Sequence, residues 1–480
     1  MTIPVVTVGE AIAPMVGGLE RLHGPVTVVR RCADLAEAVA ACQSGLAQAA
    51  VIADGVEDLT ATLLEQLATL GVSLLVMTDD VQQAKRVTSL GAVVIACEAR
   101  AEELAASISD TVSHRNFAAA NSERRDLAGP HGAAWGHADV RTAQLPAYPQ
   151  AGPQVHRPLD APAGSGGGGA LEPAQGRVIA VWGPIGSPGR TTVAVNLAAE
   201  LAATGRRVMV VDADSYGASV AGTLGLLDET AGIAQACRLA DQGVLAPDTL
   251  ARIAPEVMFR GGSFRVLTGL TRMDRWPELR SAALTEVVEQ ARQLCRHVVI
   301  DCGFSLENDE ELSYDTMAPR RNAATLTVLN AADQIVAVAG ADSIGIPRMI
   351  RALNELDQLF PAHQVSVVVN KLRTGSVGSS PESALREAWA RFGPQRDIVH
   401  FLPWDPASMD RALLSGQVLL EAAADAPLRQ ALLRLAAEVS GAGTSGAKTA
   451  ADTGRLASAG RGRRRQQRQL VKAVGQINKK

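Results

Sequence analysis

Residues 177–214, RVIAVWGPIGSPGRTTVAVNLAAELAATGRRVMVVDAD, leave this chain few folds to choose from. An apolar run at 178–182 enters a Gly/Pro-rich turn, and Arg190-Thr191-Thr192 opens an amphipathic helix that stops at Thr204-Gly205. A second apolar run, 208–211, ends on Asp212 and Asp214. Strand, glycine loop, helix and carboxylate-tipped strand make up a βαβ phosphate-binding unit. Its loop offers backbone N–H groups, and its helix offers a positive dipole end, to an anionic phosphate. The carboxylates at the strand tip suit a Mg²⁺ ion or an oriented water.

The loop departs from the regular pattern GxxxxGK[ST]. Counting back from Gly189, the first glycine belongs at position 184, but Pro184 stands there and the glycine is Gly183. Gly186, Ser187 and Gly189 complete the loop, and Arg190 replaces its lysine, offering a planar fork in place of a point charge. Thr191 keeps the hydroxyl that ligates Mg²⁺ in such loops. The competing explanation is an ordinary glycine-rich strand-to-helix turn.

At 480 residues the chain exceeds a single core. Apolar runs at 5–8, 26–29, 49–53, 73–77 and 92–96 alternate with helical patterns such as 34–44 and 58–70, so residues 1–112 are expected to form a flavodoxin-like α/β domain. Residues 113–175 are rich in Pro, Gly and Ala without periodicity and read as a disordered linker. Residues 176–440 add apolar strands at 264–270, 297–303, 334–340, 365–371 and 398–404, with helices at 284–294 and 346–359 between them. A mostly parallel, helix-covered sheet is expected from that alternation.

Aromatic residues are only 3% of the chain, too few for single-stranded nucleic acid stacking to be its main chemistry. The net charge of −4 hides a basic end: residues 441–480 carry ten Lys/Arg against the single Asp452. That tail is expected to be disordered in isolation. It reads as a solubilising tail, a contact with an anionic membrane, or a DNA contact. Leu470, Val471, Val474 and Ile477 would give the membrane reading a short apolar stripe. Cys32, Cys42, Cys97, Cys237, Cys295 and Cys302 show no metal spacing and read as reduced residues of a cytoplasmic protein, with Cys302 favoured for packing. No apolar run reaches the length of a membrane span, and the N-terminus lacks the pattern of a signal peptide.

Residues 177–440 resemble the ParA/MinD family of deviant-Walker P-loop ATPases. The likeness rests on GRTTVAVNLAAELAATGRRVMVVDAD, SYGASVAGTLGLLDETAGI, VVIDCG, ADQIVAVAGADSIGIPRMIRALNEL, VVVNKLR and FLPWDPASMDRALLSGQVLLEAA, in that order. It implies ATP and Mg²⁺ as cofactors and a nucleotide-dependent homodimer. By the same resemblance Gly183, Gly186, Ser187, Gly189, Arg190, Thr191 and Thr192 hold phosphates, and Asp214 orients the attacking water. Thr191, Asp212 and Asp301 serve the metal. Asn370 recognises adenine, with Pro403 and Asp405 in a second base-contacting loop. Arg373, standing where guanine readers carry an Asp, favours adenine. Taken singly, Asp212 also fits a helix cap, and Asp301 a solvent-facing strand end.

The family's signature lysine has no counterpart, since Pro184 and Ile185 occupy that region, and the segment after Asp301 reads CGFS. Slow or absent hydrolysis is expected from the missing charge. Arg320 and Arg321 read either as a solvated pair or as cations acting on a second subunit. The N-terminal domain resembles a response-regulator receiver that has lost part of its site. Asp54 sits at the phospho-acceptor position and Thr78 at the switch hydroxyl, but the acidic pair is reduced to Gly9-Glu10, and Cys97-Glu98 replaces the lysine. Docking or dimerisation is favoured there over phosphorylation. A pseudo-receiver followed by such an ATPase domain is similar to the CpaE/TadZ group and to actinobacterial septum-site-like proteins. That likeness implies positioning of pilus/secretion or division-site machinery from the cytoplasm or the inner face of the membrane.

Overall fold

The computed structural model describes residues 2–9, 12–22, 24–126, 176–226, 231–308 and 319–440. Glu10, residues 127–175 of the expected linker and the basic tail lie outside the described residues.

The first body holds β1 (Ile3–Val8), β2 (Val26–Cys32), β3 (Ala49–Ile52), β4 (Ser73–Met77) and β5 (Val93–Ile95). They pair in parallel in the order β2-β1-β3-β4-β5, the doubly wound flavodoxin-like order. Strands β3 and β4 are buried at every residue because helices cover both faces. Val6, Ile52 and Val76 face one core with Leu64 and Leu67, while Val5, Val51 and Leu75 face the other with Leu104 and Ile108. The last helix, Ala101–Asp126, continues through residue 113 because its sequence holds no Gly or Pro to stop it.

The second body is an eight-stranded sheet. Its strands are β6 (Arg177–Trp182), β7 (Val208–Ala213), β8 (Glu256–Phe259), β9 (Gly262–Leu267), β10 (His297–Cys302), β11 (Gln334–Gly340), β12 (Val365–Leu372) and β13 (Ile398–Pro403). The order is β13-β12-β11-β6-β10-β7-β9-β8, parallel throughout except for the edge hairpin β8–β9. The sheet is thus the mostly parallel, helix-covered arrangement the apolar runs imply. Strand β8 had no such signal, since Phe259 is its one buried residue. Register sets the carboxylates side by side: Asp301 at the end of β10 lies beside Asp212 of β7 on one side and Val181 of β6 on the other. Ligands of open parallel sheets bind at this carboxyl edge.

The two bodies touch through the helix Ala61–Thr69. Thr62 donates from its amide (2.8 Å) and its hydroxyl (2.5 Å) to Asp241 Oδ1. Arg86 Nη1 bridges them, donating to Leu59 O at 2.8 Å and to Gln242 O at 3.3 Å. Burial near this contact pushes the Glu65 carboxyl up, against a hydrogen bond from the Ala282 backbone.

At the opposite edge of the sheet, His297 is buried and its Nε2 faces Arg206 Nη1 at 3.0 Å. Burial first, then Arg206, Arg296 and Arg177, hold its pKa down at about 4. A depressed histidine stays neutral when folded while the unfolded chain takes up a proton below about 6.5, so this stability is lost as pH falls from about 6.5 toward 4. About 2 kcal/mol is expected to go between pH 7.5 and pH 5. Urea unfolding of the parent and His297→Gln at both pH values checks it: parallel losses in the two proteins would remove His297 as the cause.

A phosphate loop with its carboxylates at the sheet edge

The loop 183–189 joins β6 to the helix Arg190–Ala202. Gly186 (φ 121°), Ser187 (φ 52°) and Gly189 (φ 100°) take left-handed backbone conformations, natural for the glycines and strained for the serine. Four carbonyls of this loop accept hydrogen bonds from side chains. Gly183 O accepts from Arg190 Nη1 (3.1 Å), Ile185 O from Arg348 Nη1 (3.2 Å), Ser187 O from Lys371 Nζ (2.7 Å) and Pro188 O from Asn370 Nδ2 (2.8 Å). The backbone N–H groups concerned are those of Gly186, Ser187, Gly189, Arg190 and Thr191. Among the described residues these amides donate no hydrogen bond. Such a nest of N–H groups at a helix start binds anions.

Beside the start of this helix stand three buried carboxylates. Thr191 Oγ1 donates to Asp301 Oδ2 at 2.5 Å and lies 3.0 Å from Ser219 Oγ. Asp301 is 1% exposed, which excludes a solvent-facing strand end, and its Oδ1 is buried without a partner. Asp212 Oδ2 accepts from Ser219 N (2.8 Å) and Val220 N (2.9 Å), so the capping contact is one that this carboxylate makes. Asp214 Oδ2 pairs with Arg190 Nη2 at 3.1 Å, and its Oδ1 accepts from Tyr216 N and Gly217 N. Burial raises the Asp212 carboxyl to about 6 against hydrogen bonds from the Val220 and Asp214 backbones. Burial and then the Asp212 charge push Asp301 well above the usual range. Crowded, desolvated carboxylates with one orphaned oxygen, beside a threonine hydroxyl, form a hard oxygen set that suits Mg²⁺. Among the described residues no three His, Cys, Asp or Glu side chains converge as a complete metal cage. Mg²⁺ sites completed by phosphate and water need none.

The expected base-reading residues lie on the β12–β13 side. Asn370 is 5% exposed, and both ends of its carboxamide are engaged, Nδ2 with Pro188 O and Oδ1 with the Lys371 amide at 2.8 Å. In this arrangement it braces the loop. Pro403 ends β13, and Asp405 caps the helix Pro406–Ser415 through Ser408 N at 3.2 Å. Thr192 sits in the first turn of Arg190–Ala202, where its carbonyl holds Asn196 Nδ2 at 2.9 Å. Cys302 is buried and its thiol is pushed well up by burial, as a packing residue.

Some contacts had no signal in the sequence. Arg348 and Lys371 reach the loop from about 160 and 180 positions away. Arg321 lies 4.1 Å over the Tyr216 ring, Tyr216 packs 4.7 Å from Phe304, and its hydroxyl donates to Asn322 Oδ1 at 2.7 Å. These contacts clasp the segment after Asp214 to the segment after Asp301. Arg321 is therefore stacked, and exposed Arg320 donates to Asn308 Oδ1 at 2.7 Å. In the first body, Asp54 is exposed at the end of β3 with its carboxylate against Gly9, and Thr78 Oγ1 accepts from Asp80 N.

Residues 179–416 match the family described as the CobQ/CobB/MinD/ParA nucleotide binding domain. That stretch holds the loop 183–189 and Asp212, Asp214 and Asp301. Over 90 residues the chain is 44% identical to the antiactivator FleN of Pseudomonas aeruginosa, covering 18% of this chain and 31% of FleN. The chain therefore spans about a third of that curated relative's length. Among solved structures, the septum site-determining protein MinD with Mg-ADP from Pyrococcus horikoshii is 19% identical, with a TM-score of 0.44, covering 57% of this chain and 99% of that one. A ParA family ATPase from Chlorobium tepidum is 16% identical, with a TM-score of 0.44, covering 54% and 98%. Among the described residues no helix is long and apolar enough to cross a membrane.

Proposed function

We propose that the protein is an ATP-binding positioning factor of the CpaE/TadZ-like kind, serving pilus/secretion or division-site machinery and turning over slowly if at all. The observation that carries the nucleotide reading is the run of loop amides at 186–191 without an acceptor among the described residues, together with the Thr191–Asp301 and Arg190–Asp214 pairs at the start of the helix. In this reading Gly186, Ser187, Gly189, Arg190, Thr191 and Thr192 hold the phosphates. Gly183 sets the start of the loop. Thr191 and Asp301, with Asp212 behind them, hold Mg²⁺, which supplies neutralising charge to the phosphate oxygens when bound. Asp214 orients the water. Asn370, Pro403 and Asp405 border the adenine, and Asn370 turns part of its amide from the loop to the base.

The Arg190–Asp214 pair supports slow turnover. Arg190 is ion-paired with the carboxylate that would orient water, so neither group is free until the pair opens. The nucleotide-binding family matched over residues 179–416 supports the same reading. The first body, as a pseudo-receiver, would dock the partner, and a nucleotide-dependent homodimer is the expected signalling state.

The test is calorimetric titration of the full chain with Mg-ATP and Mg-GTP, followed by phosphate release. Micromolar ATP binding, weaker GTP binding and turnover slower than about one per minute, far below the usual kcat range, are expected. A folded chain that binds neither nucleotide is a pseudo-ATPase scaffold. A ParA-like DNA role through residues 441–480 predicts salt-dependent DNA binding that disappears when those residues are deleted.

A further inference from the structure

Of the three buried site carboxylates, Asp212, Asp214 and Asp301, Asp214 is paired with the guanidinium of Arg190, which is thereby committed. A phosphate chain brings further negative charge, so an anion loop here needs a cation not committed to a carboxylate. Lys371 on Ser187 O and Arg348 on Ile185 O both meet that description, and Arg348 is the one that stands against Gly186. It comes from the helix Gly345–Leu359, and its Nη1 donates to Ile185 O at 3.2 Å. The same nitrogen lies 2.7 Å from the point where a Cβ on Gly186 would stand, so only glycine admits the guanidinium this close to the loop. Among the described residues Arg348 has no carboxylate partner. A neutral carbonyl leaves its full charge, and most of its donors, available to an anion. The position it guards is Ile185, 56% exposed, where the loop itself offers no charge.

We propose that Arg348 is a phosphate-contacting residue of this site, contributed by the helix after β11. With a nucleoside di- or triphosphate in the nest, its guanidinium engages the phosphate chain at the Ile185–Gly186 corner. Arg348 thereby adds an uncommitted positive charge at that corner. This inference rests on the nucleotide reading above.

The experiment is Mg-ATP and Mg-ADP titration of the full chain as parent, Arg348→Ala, Arg348→Gln and Arg348→Lys, with urea midpoints as a check of folding. Gln keeps a donor for Ile185 O without charge, and Lys keeps both. The expected result is a Kd about tenfold or more higher in Ala and Gln, as for loss of a hydrogen bond to a charged group, with Lys within about threefold of the parent. Ala and Gln binding like the parent would overturn the proposal, as would equal weakening of all three variants, which would make Arg348 a brace of the loop. A parent that binds no nucleotide removes the nucleotide reading itself, and this inference with it. Parent binding with unchanged variants removes the inference alone.

Discussion

Arg190→Ala is expected to destabilise the nucleotide-free protein by about 3 kcal/mol and to raise the Kd for Mg-ATP by about a hundredfold or more. The Arg190 and Asp214 side chains are 13% and 7% exposed, so their pair is shielded from solvent. Truncating the arginine leaves Asp212, Asp214 and Asp301 without an ion-pair partner among the described residues, and breaking a buried pair from one side costs more than the pair contributes. Protonation gives partial relief. Arg190 is one of the groups holding Asp301 down, and its loss pushes that carboxyl higher still. An acid whose folded pKa is raised contributes stability below that pKa and loses it as pH rises, so the deficit should be larger at pH 8 than at pH 5.5. Arg190→Lys should recover much of both effects. Urea midpoints at the two pH values and calorimetry of both variants provide the check. Lowered stability with unchanged ATP affinity would reduce Arg190 to a counter-ion of the carboxylates.

What could be read in the sequence divides along a physical line. Thr191, Asp212, Asp214 and Asp301 were legible because each closes a strand or opens a helix, and local pattern places such residues. Parallel register then brings Asp301 beside Asp212 without further information. The two sheets could be read from apolar runs of the right length, while β8 escaped because only Phe259 is buried in it. Side chains whose partners lie far along the chain were not legible. The contact of the Asn370 carboxamide with Pro188 O, 182 positions away, had no local signal. Arg348 belongs to an amphipathic helix in which nothing local marks it apart from a solvated arginine. The clasp of Tyr216, Phe304 and Arg321 joins three segments that only the fold brings together. Period and spacing predict which face a residue occupies, and a rotamer aimed at a distant carbonyl lies beyond them.

Gly183→Ala is expected to cost about 3 kcal/mol, more than alanine at any other glycine of the loop, for a reason unrelated to phosphate. An added Cβ would stand 2.2 Å from Val338 O and 3.2 Å from Val338 C, both backbone atoms of β11. Strands β6 and β11 are hydrogen-bonded up to Trp182 against Ala337, so relief requires separating two central strands of the sheet. Gly186 differs, because its Cβ would meet the movable end of Arg348. Gly205 meets nothing within 4 Å, so alanine there carries only the strain of φ 78°, about 1 kcal/mol. Since Gly183 O also accepts from Arg190, spreading β6 from β11 should displace the arginine and weaken ATP binding along with the fold. Urea midpoints for the three alanine variants, with hydrogen exchange of the β6 amides, measure this. A Gly183 variant as stable as the Gly205 variant would mean that the sheet yields cheaply at this point. The loop's first glycine would then have to be explained by phosphate after all.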